Sequence, residues 1–418
     1  MTLPGIDDGT AAEAVPLRRL PLWWAAVALL FGAAFGTNVA TPLLPLYRAA
    51  LHLSPSDVNA IFGVYALGLA PSLLLGGPAS DRYGRLRVLV PSVVLAGGAS
   101  LLFLVGSDAT ALLYAARFVQ GLASGAAFSV GSAWLQDIVG ADHAPAAARR
   151  ASLALNIGFC LGPLTSGLLA GYGPDPLTLP FLVHAVLVAL MLLVAGAIGG
   201  RAAWSGDHGG WRGASLRPRT GLDRPARRTF RRTLIPTAIC VYAFPSVTIT
   251  VLPLLLSHRD HLVVFLGVLG AVTLGMGAVV QPFAARLGRY RGAVGAALGA
   301  AGYALGALAA APDSAGLVFL GGASLGAGGG LCLNAGLTLV HELSTPSTRG
   351  ACNGLFYTWA YVGFSAPLLT TAFVTTDHLV RPILVLTGLS ALTALWLARS
   401  ARSARSARLP VAHPAGAD

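Results

Sequence analysis

The chain has 418 residues, of which 55% are apolar and only 11% charged. An ordinary soluble domain carries about 25% charged residues, so this composition excludes one. All 28 basic residues are arginine, and against 16 acidic residues they leave a formal charge of +12. Such a charge could serve a nucleic acid, but its placement argues against that partner. Arg48, Arg259 and Arg381 fall on one predicted side of a membrane, Arg117 lies within an apolar run, and all the others fall on the opposite side. Orientation by basic cytoplasmic loops produces this asymmetry.

Residues 1–20 are polar, with Asp7, Asp8, Glu13, Arg18 and Arg19, and read as a cytoplasmic tail. A cleaved leader is the alternative, disfavoured because the first apolar run is needed to complete the first half. Twelve apolar runs follow, at 21–46, 57–77, 87–106, 109–138, 150–171, 178–199, 233–256, 262–284, 292–311, 314–341, 350–373 and 380–398. Each is near the roughly 20 residues that a bilayer requires. Six occupy 21–199 and six occupy 233–398, on either side of a basic stretch at 200–232 that is too polar to span. That linker is expected on the cytoplasmic membrane surface, where arginines meet anionic lipid. The Arg-Ser-Ala repeat within 399–418 is expected to be disordered. An even number of spans puts both termini in the cytoplasm. Cys160, Cys240, Cys332 and Cys352 have no metal spacing and read as packing residues.

The first run contains Asn38-Val39-Ala40-Thr41-Pro42-Leu43-Leu44-Pro45. Its prolines free backbone carbonyls and bend a helix. Between the second and third runs lies Gly77-Pro78-Ala79-Ser80-Asp81-Arg82-Tyr83-Gly84-Arg85-Leu86-Arg87. Gly77 and Gly84 are expected to relieve a tight turn. Asp81 can accept hydrogen bonds from nearby arginines or cap the following helix. Arg82, Arg85 and Arg87 would hold the loop inside, and a plain basic turn uses the same residues. The pattern returns at Gln281-Pro282-Phe283-Ala284-Ala285-Arg286-Leu287-Gly288-Arg289-Tyr290-Arg291, 204 residues on (281 − 77). That spacing, near half the chain, points to a duplicated bundle. Ala285 stands in place of Asp81, so the first copy is the expected working one.

Gly77-x-x-x-Asp81-Arg82-x-Gly84-Arg85 resembles the loop signature of the major facilitator superfamily. The resemblance covers the chain apart from its tails and central linker. It implies an all-α integral membrane protein of twelve transmembrane helices in two pseudo-symmetric six-helix bundles. It implies a transporter working as a monomer, not an enzyme, with no cofactor and no metal.

The fourth run carries Leu113, Arg117, Gln120 and Gly121. A charge within lipid is expensive, so Arg117 should face the interior and find a partner. Gln120, three residues on, can share its face. Arg-x-x-Gln-Gly is similar to a second motif of the family, which implies proton coupling. A structural role, bonding carbonyls of a neighbouring helix, also fits. The fifth run shows a stripe of Ala154, Gly158, Gly162, Ser166 and Ala170, which permits close helix contact. Gly158-x-x-x-Gly162-Pro163-x-x-x-Gly167 is similar to the fifth-helix motif of the family's antiporters, with Ser166 where that motif has glycine. This likeness implies export, and the stripe is expected where the halves rock. The first run is similar to the Asp-x-x-x-Pro-x-x-Pro pattern of drug–proton antiporters, with Asn38 in place of the acid. Asparagine can bind a substrate or pack a helix, but it cannot exchange a proton.

By analogy with the family, a central cavity lies between the halves. Candidate substrate-binding residues are Asn38, Tyr65, Arg117, Asn156, Tyr242, Phe244, Asn334, Tyr357 and Tyr361, which as a set imply an amphipathic or aromatic small molecule. No acid falls in the middle of a run: Asp57, Asp81, Asp108, Asp137 and Glu342 sit at ends or in loops. Asp81, Arg117 and Asp137 are the first suspects if protons are partners, with His184 a lesser one. The leading reading is proton-coupled export of a drug-like molecule across a bacterial inner membrane. The alternative is an importer or uniporter without proton coupling. A membrane-embedded enzyme finds no supporting motif, and a transport-dead sensor on the same fold is a further possibility.

Overall fold

The computed structural model describes residues 20–106, 109–140, 143–205, 221–256, 261–344, 348–372 and 379–406. Among them every regular element is a helix and no strand occurs. The first half contains α1 (Leu20–Thr37), α2 (Leu44–Ala50), α3 (Pro55–Tyr83), α4 (Arg85–Val105), α5 (Thr110–Val139), α6 (Ala144–Tyr172) and α7 (Leu179–Ser205). After 206–220 come α8 (Arg224–Thr229), α9 (Ile235–Thr250), α10 (Leu262–Val279) and α11 (Arg291–Ala309). The chain then forms α12 (Ala315–Leu343), α13 (Arg349–Val362), α14 (Ala366–Ala372) and α15 (Val380–Ser406). Ten stretches of the described residues are long and apolar enough to cross a bilayer. In hydrocarbon a helix is favoured because it pairs its own backbone donors and acceptors.

Polar residues mark the helix starts. At α3, Ser54 and Asp57 form a reciprocal capping box with Pro55 in the first turn. Ser314 caps α12, and Asp223 caps α8. The cap at Asp223 shortens the expected linker. The chain is already helical from Arg224, passes through a π-type turn at Phe230–Leu234 and continues into α9. At the other side of the linker, α7 runs on to Ser205. The expected C-terminal disorder is also corrected over its described part, because α15 continues through the first Arg-Ser-Ala repeats to Ser406. The rest of that tail and residues 1–19 lie outside the described residues, as do Asp108, Arg259 and Pro346.

Prolines break three of the expected continuous runs. Pro253 interrupts the run after α9, which ends in a 3-10 turn at Leu252–Leu255. Before Pro367 the eleventh run opens into a 3-10 turn at Gly363–Ser365. In the first run α1 stops at Thr37, and a 3-10 turn at Thr41–Leu43 leads into α2. Pro42 has no N–H to donate. Thr41 N–H bonds to the Asn38 carbonyl at 3.2 Å and Leu43 N–H to the Ala40 carbonyl at 3.2 Å. The Val39 carbonyl is thereby left to a side chain, and the Ser166 hydroxyl of α6 donates to it at 2.6 Å. Ser166→Ala is expected to lower stability by about 1–3 kcal/mol, the cost of a buried acceptor left unpaired. Thermal unfolding in detergent measures this, and an unchanged midpoint would remove the role given to Ser166.

Buried apolar side chains gather mainly within each half. One cluster runs from Trp23 to Val188 and takes in Tyr361 of the second half, and another runs from Leu222 to Ile383. The halves also touch. Gly167 of α6 and Gly267 of α10 meet backbone to backbone, and a Cβ on Gly167 would lie 2.8 Å from the Gly267 Cα. The small-residue stripe has a different place from the one expected. Gly158 and Gly162 press on α1, where added methyl groups would meet Phe31, Ala34 and Phe35. Because 158, 162 and 166 share one helix face, that face is spent within the first half. Residues that reach the second half, among them Cys160, Pro163, Gly167 and Gly171, sit beside it.

Candidate functional site

A cavity of about 410 Å³ lies between the halves. Thr37, Asn38, Phe62, Tyr65 and Phe159 line it from the first half. Tyr242, Pro245, Ser246, Ile249, Leu274, Tyr361 and Phe364 line it from the second. Its walls are mostly aromatic, and Phe364 is the hub. The Phe364 ring stacks on Phe62 at 5.1 Å and on Tyr361 at 5.5 Å. It meets Tyr242 at 5.3 Å and Tyr65 at 6.0 Å. Tyr242 and Tyr361 stack at 4.4 Å, and the Tyr361 hydroxyl donates to the Tyr242 hydroxyl at 3.3 Å. Gly363 permits this placement, because a Cβ there would overlap the Ile239 carbonyl of α9.

Behind Phe62 and Tyr65 lies Arg117, which is 1% exposed. Its guanidinium sits 5.0 Å from the Tyr65 ring centre and 5.4 Å from that of Phe62. One terminal nitrogen donates to the Thr37 carbonyl at 3.0 Å and to Gln120 Oε1 at 2.7 Å. The other donates to the Phe62 carbonyl at 3.4 Å, and Nε has no partner among the described residues. Gln120 in turn donates to the Gly36 carbonyl. The break in α1 explains these contacts. Thr41 bonds to Asn38 and not one residue further back, so the Thr37 carbonyl is open to Arg117. Gly121 brings α5 against α3, since a side chain there would collide with the Tyr65 carbonyl. Arg117 is thus held by neutral dipoles and ring faces, with no carboxylate among its hydrogen-bond partners.

Of the expected substrate-binding residues, the structure brings Asn38, Tyr65, Tyr242 and Tyr361 to the cavity wall, with Arg117 directly behind it. Four others lie off it. Asn156 turns back on its own helix, donating to the Ser152 carbonyl at 2.8 Å. Phe244 is packed edge-on to Tyr303 at 5.6 Å and fills the space above Gly299. Asn334 accepts from Arg291 at 2.8 Å and donates to Gln281 at 3.1 Å, near the second copy of the loop motif. Tyr357, one turn before Tyr361, packs edge-on to Phe356 at 5.4 Å. His184 is fully buried outside the cavity. Its Nδ1 lies 2.6 Å from the Ser100 hydroxyl and its Nε2 3.1 Å from the Gly32 carbonyl. A carbonyl only accepts, so Nε2 carries the proton and the ring ties α7 to α1 and α4.

The loop motif is more helical than expected. α3 runs through Asp81, Arg82 and Tyr83, and the reversal occurs at Gly84 alone, with φ 105° and ψ 147°. Gly77 therefore lies inside α3 and relieves no turn, which corrects the role expected of it. Arg85 is the centre of the motif. It bonds to Asp81 at 2.5 Å, to Asp137 of α5 at 2.8 Å and to the Ser80 hydroxyl at 2.6 Å. Arg82 lies over the Tyr83 ring. At the equivalent places of the second copy stand Ala285 for Asp81 and His341 for Asp137, each 204 residues on (285 − 81; 341 − 137). There Gly288 makes the reversal at φ 50°, and Arg291, which matches Arg87 and not Arg85 (291 − 204), bonds to Asn334 and to Thr338 at 3.0 Å. An ionic clasp in one half faces a neutral one in the other. Asp137→Asn is expected to change stability by no more than about 1 kcal/mol, because the pair is half-exposed. It is expected to loosen the join of α3, α4 and α5, and unchanged amide hydrogen exchange at Gly84 and Arg85 would remove that role.

A second cavity of about 600 Å³ opens at the end of the molecule opposite Gly84. Thr41, Arg48, Val58 and Asn59 line it from the first half, and Thr250, Pro253 and Leu266 from the second. Ile249 lines both cavities, so the two adjoin there. Beside it, Asn59 donates to Thr371 Oγ1 at 2.9 Å, a polar contact joining α3 to α14.

Known proteins share this architecture. A POT family transporter solved with 5-aminolevulinic acid superposes with a TM-score of 0.75, at 12% identity, over 91% of this chain and 96% of its own. The POT family transporter PepTSo superposes at 0.71, with 16% identity, over 92% and 98% of the two chains. At such identities the likeness speaks for the fold alone. Among curated proteins, Multidrug resistance protein 2 of Bacillus subtilis is 25% identical over 165 residues, 40% of each chain. Multidrug resistance protein MdtL of Escherichia coli is 36% identical over 112 residues, 27% of this chain and 28% of its own. The Probable actinorhodin transporter of Streptomyces coelicolor is 35% identical over 173 residues, 40% of this chain and 28% of its own. The matches thus span between about a quarter and two-fifths of these relatives' lengths. Residues 26–367, which hold the cavity, Arg117 and both copies of the glycine-reversal motif, match the Major Facilitator Superfamily, and the chain belongs to that family of membrane transporters.

Proposed function

We propose that this protein is a secondary active transporter that exports a small amphipathic aromatic molecule in exchange for protons. The observation that carries the reading is the ring-lined cavity shared by the two halves. Ten stretches of the described residues are apolar enough to span, and we take the 30-residue α5 and the interrupted α13–α14 as two more, a total that suits alternating access. Polar residues such as Arg117 and Gln120 lower the hydropathy of α5. We place these spans in two six-helix units, 21–199 and 233–398, with both termini in the cytoplasm of a bacterium. The Gly84 end then faces inward and the second cavity is an outer vestibule. Multidrug names among the relatives favour export. Asp81, Arg85, Asp137 and Arg117 are the coupling residues of this reading.

Inverted vesicles carrying the protein should accumulate an aromatic dye on acidification of their lumen, and a protonophore should abolish the uptake. Accumulation indifferent to the proton gradient would sink the coupling. One observation favours a second reading, an importer or uniporter without protons: Asn38, not an acid, stands at the cavity wall. Dye flux directed into whole cells and independent of pH would support that reading.

A further inference from the structure

We propose that the cavity selects an anion: an aromatic molecule bearing a carboxylate or another acidic oxygen, in preference to a lipophilic cation. The inference rests on the transporter reading and narrows its substrate. Three observations converge on it. Arg117 is fully buried behind Tyr65 and Phe62, which line the cavity, and its hydrogen-bond partners are all neutral. Among the described residues no acid lines the cavity, and the fixed charge nearest its wall is that of Arg117. The vestibule that adjoins it at Ile249 repeats the sign, with Arg48 on its wall and no acid among the described residues that line it. Asp57, nearby in sequence, is engaged with the Ser54 backbone and hydroxyl at 2.9 and 2.7 Å.

A buried cation without a counter-ion is costly in a medium of low polarity. An entering anion would offset that cost, whereas an entering cation would add to it. The surrounding rings do not oppose this preference. Their faces are engaged by each other and by Arg117, while the hydroxyl of Tyr242, which accepts from Tyr361, and the amide of Asn38 are donors that can meet an acidic oxygen. Aromatic bulk would then occupy the space beside Phe159 and Phe364, and charge would settle toward Arg117.

The test uses the purified full chain in lipid nanodiscs and three probes of one shape: 2-naphthoate, its neutral amide and 2-naphthylmethylammonium. Equilibrium binding is measured in gluconate at about 0.5 M ionic strength, which screens exposed arginines but not a buried one. Wild type is expected to bind naphthoate at least roughly tenfold more tightly than the ammonium, a difference of about 1.4 kcal/mol. Asn38→Asp, nearly isosteric and checked by its melting temperature, is expected to reverse that order. A wild type that binds the ammonium as tightly as naphthoate overturns the proposal, whatever the variant does. Failure of all three probes to bind overturns it together with the aromatic-substrate reading. Tight naphthoate binding without flux in vesicles upholds the anion site and overturns transport instead.

Discussion

Arg117→Met is expected to reduce transport by at least about a hundredfold, near 2.7 kcal/mol, while leaving the melting temperature equal to or above that of the parent. Most substitutions of a fully buried residue do the opposite, so the two readouts together are diagnostic. On the stability side, removing the guanidinium leaves the Thr37 and Phe62 carbonyls and Gln120 Oε1 without its hydrogen bonds. Each unpaired acceptor costs roughly 1–3 kcal/mol if nothing replaces the donor. Against that stands the desolvation of an arginine with only neutral partners, several kcal/mol even after relaxation. Methionine fills much of the same volume and adapts to irregular space. Exchanges of buried ions for apolar residues of similar size are often neutral or stabilising by about 1–4 kcal/mol. On the functional side nothing substitutes for the charge. Arg117 links the broken end of α1, the Phe62 carbonyl of α3 and the ring faces at the cavity. Arg117→Lys should fall between the two, since a compact ammonium cannot reproduce the planar fork. Vesicle flux and thermal unfolding decide the matter, and near-normal flux in Arg117→Met would remove the role proposed for it.

Much of the framework was legible because lipid imposes simple constraints on sequence. The apolar runs, the arginine asymmetry and the repeated glycine-reversal motif locate the helices and their joins. Pro42 announced the break in α1, and Arg117 announced its own burial, since a charge in a span needs an interior place. What sequence could not supply was the azimuth of each residue. Phe244 and Tyr242 lie two positions apart on α9, so they face different ways: one fills the core of its own half and the other reaches the cavity. Asn156 and Phe159 lie three apart on neighbouring positions of α6, yet the Asn156 amide turns back on its own helix and the apolar member of the pair lines the site. Phe364 left no signal as an isolated phenylalanine in an apolar run. Its position depends on the 3-10 turn before Pro367 and on the close approach that Gly363 permits to α9. A single chain also hid the division of labour on α6, where one face serves α1 and its neighbour serves α10.

Phe364→Ala is expected to loosen the contact between the halves and to impair handling of aromatic molecules at once. Of the four rings that Phe364 meets, Phe62 and Tyr65 belong to the opposite half. Only those two contacts must break when the halves part, because Tyr242 and Tyr361 move with Phe364. Aromatic pairs contribute about 0.5–1.5 kcal/mol each beyond their buried area, so the bias lost is roughly 1–3 kcal/mol. That corresponds to a shift of about 5- to 150-fold between closed and open arrangements. Thr41 is 3% exposed and lines the adjoining cavity, so a cysteine at that position reports the opening. Labelling of Thr41→Cys by a membrane-impermeant thiol reagent should speed up by a factor in that range when Phe364→Ala is added. Phe364→Leu separates ring geometry from volume: it retains apolar bulk, so its labelling rate should lie between those of the parent and the alanine variant. Equal rates in all three backgrounds would mean that Asn59–Thr371 and the Gly167–Gly267 contact, and not the rings, hold the halves together at this end.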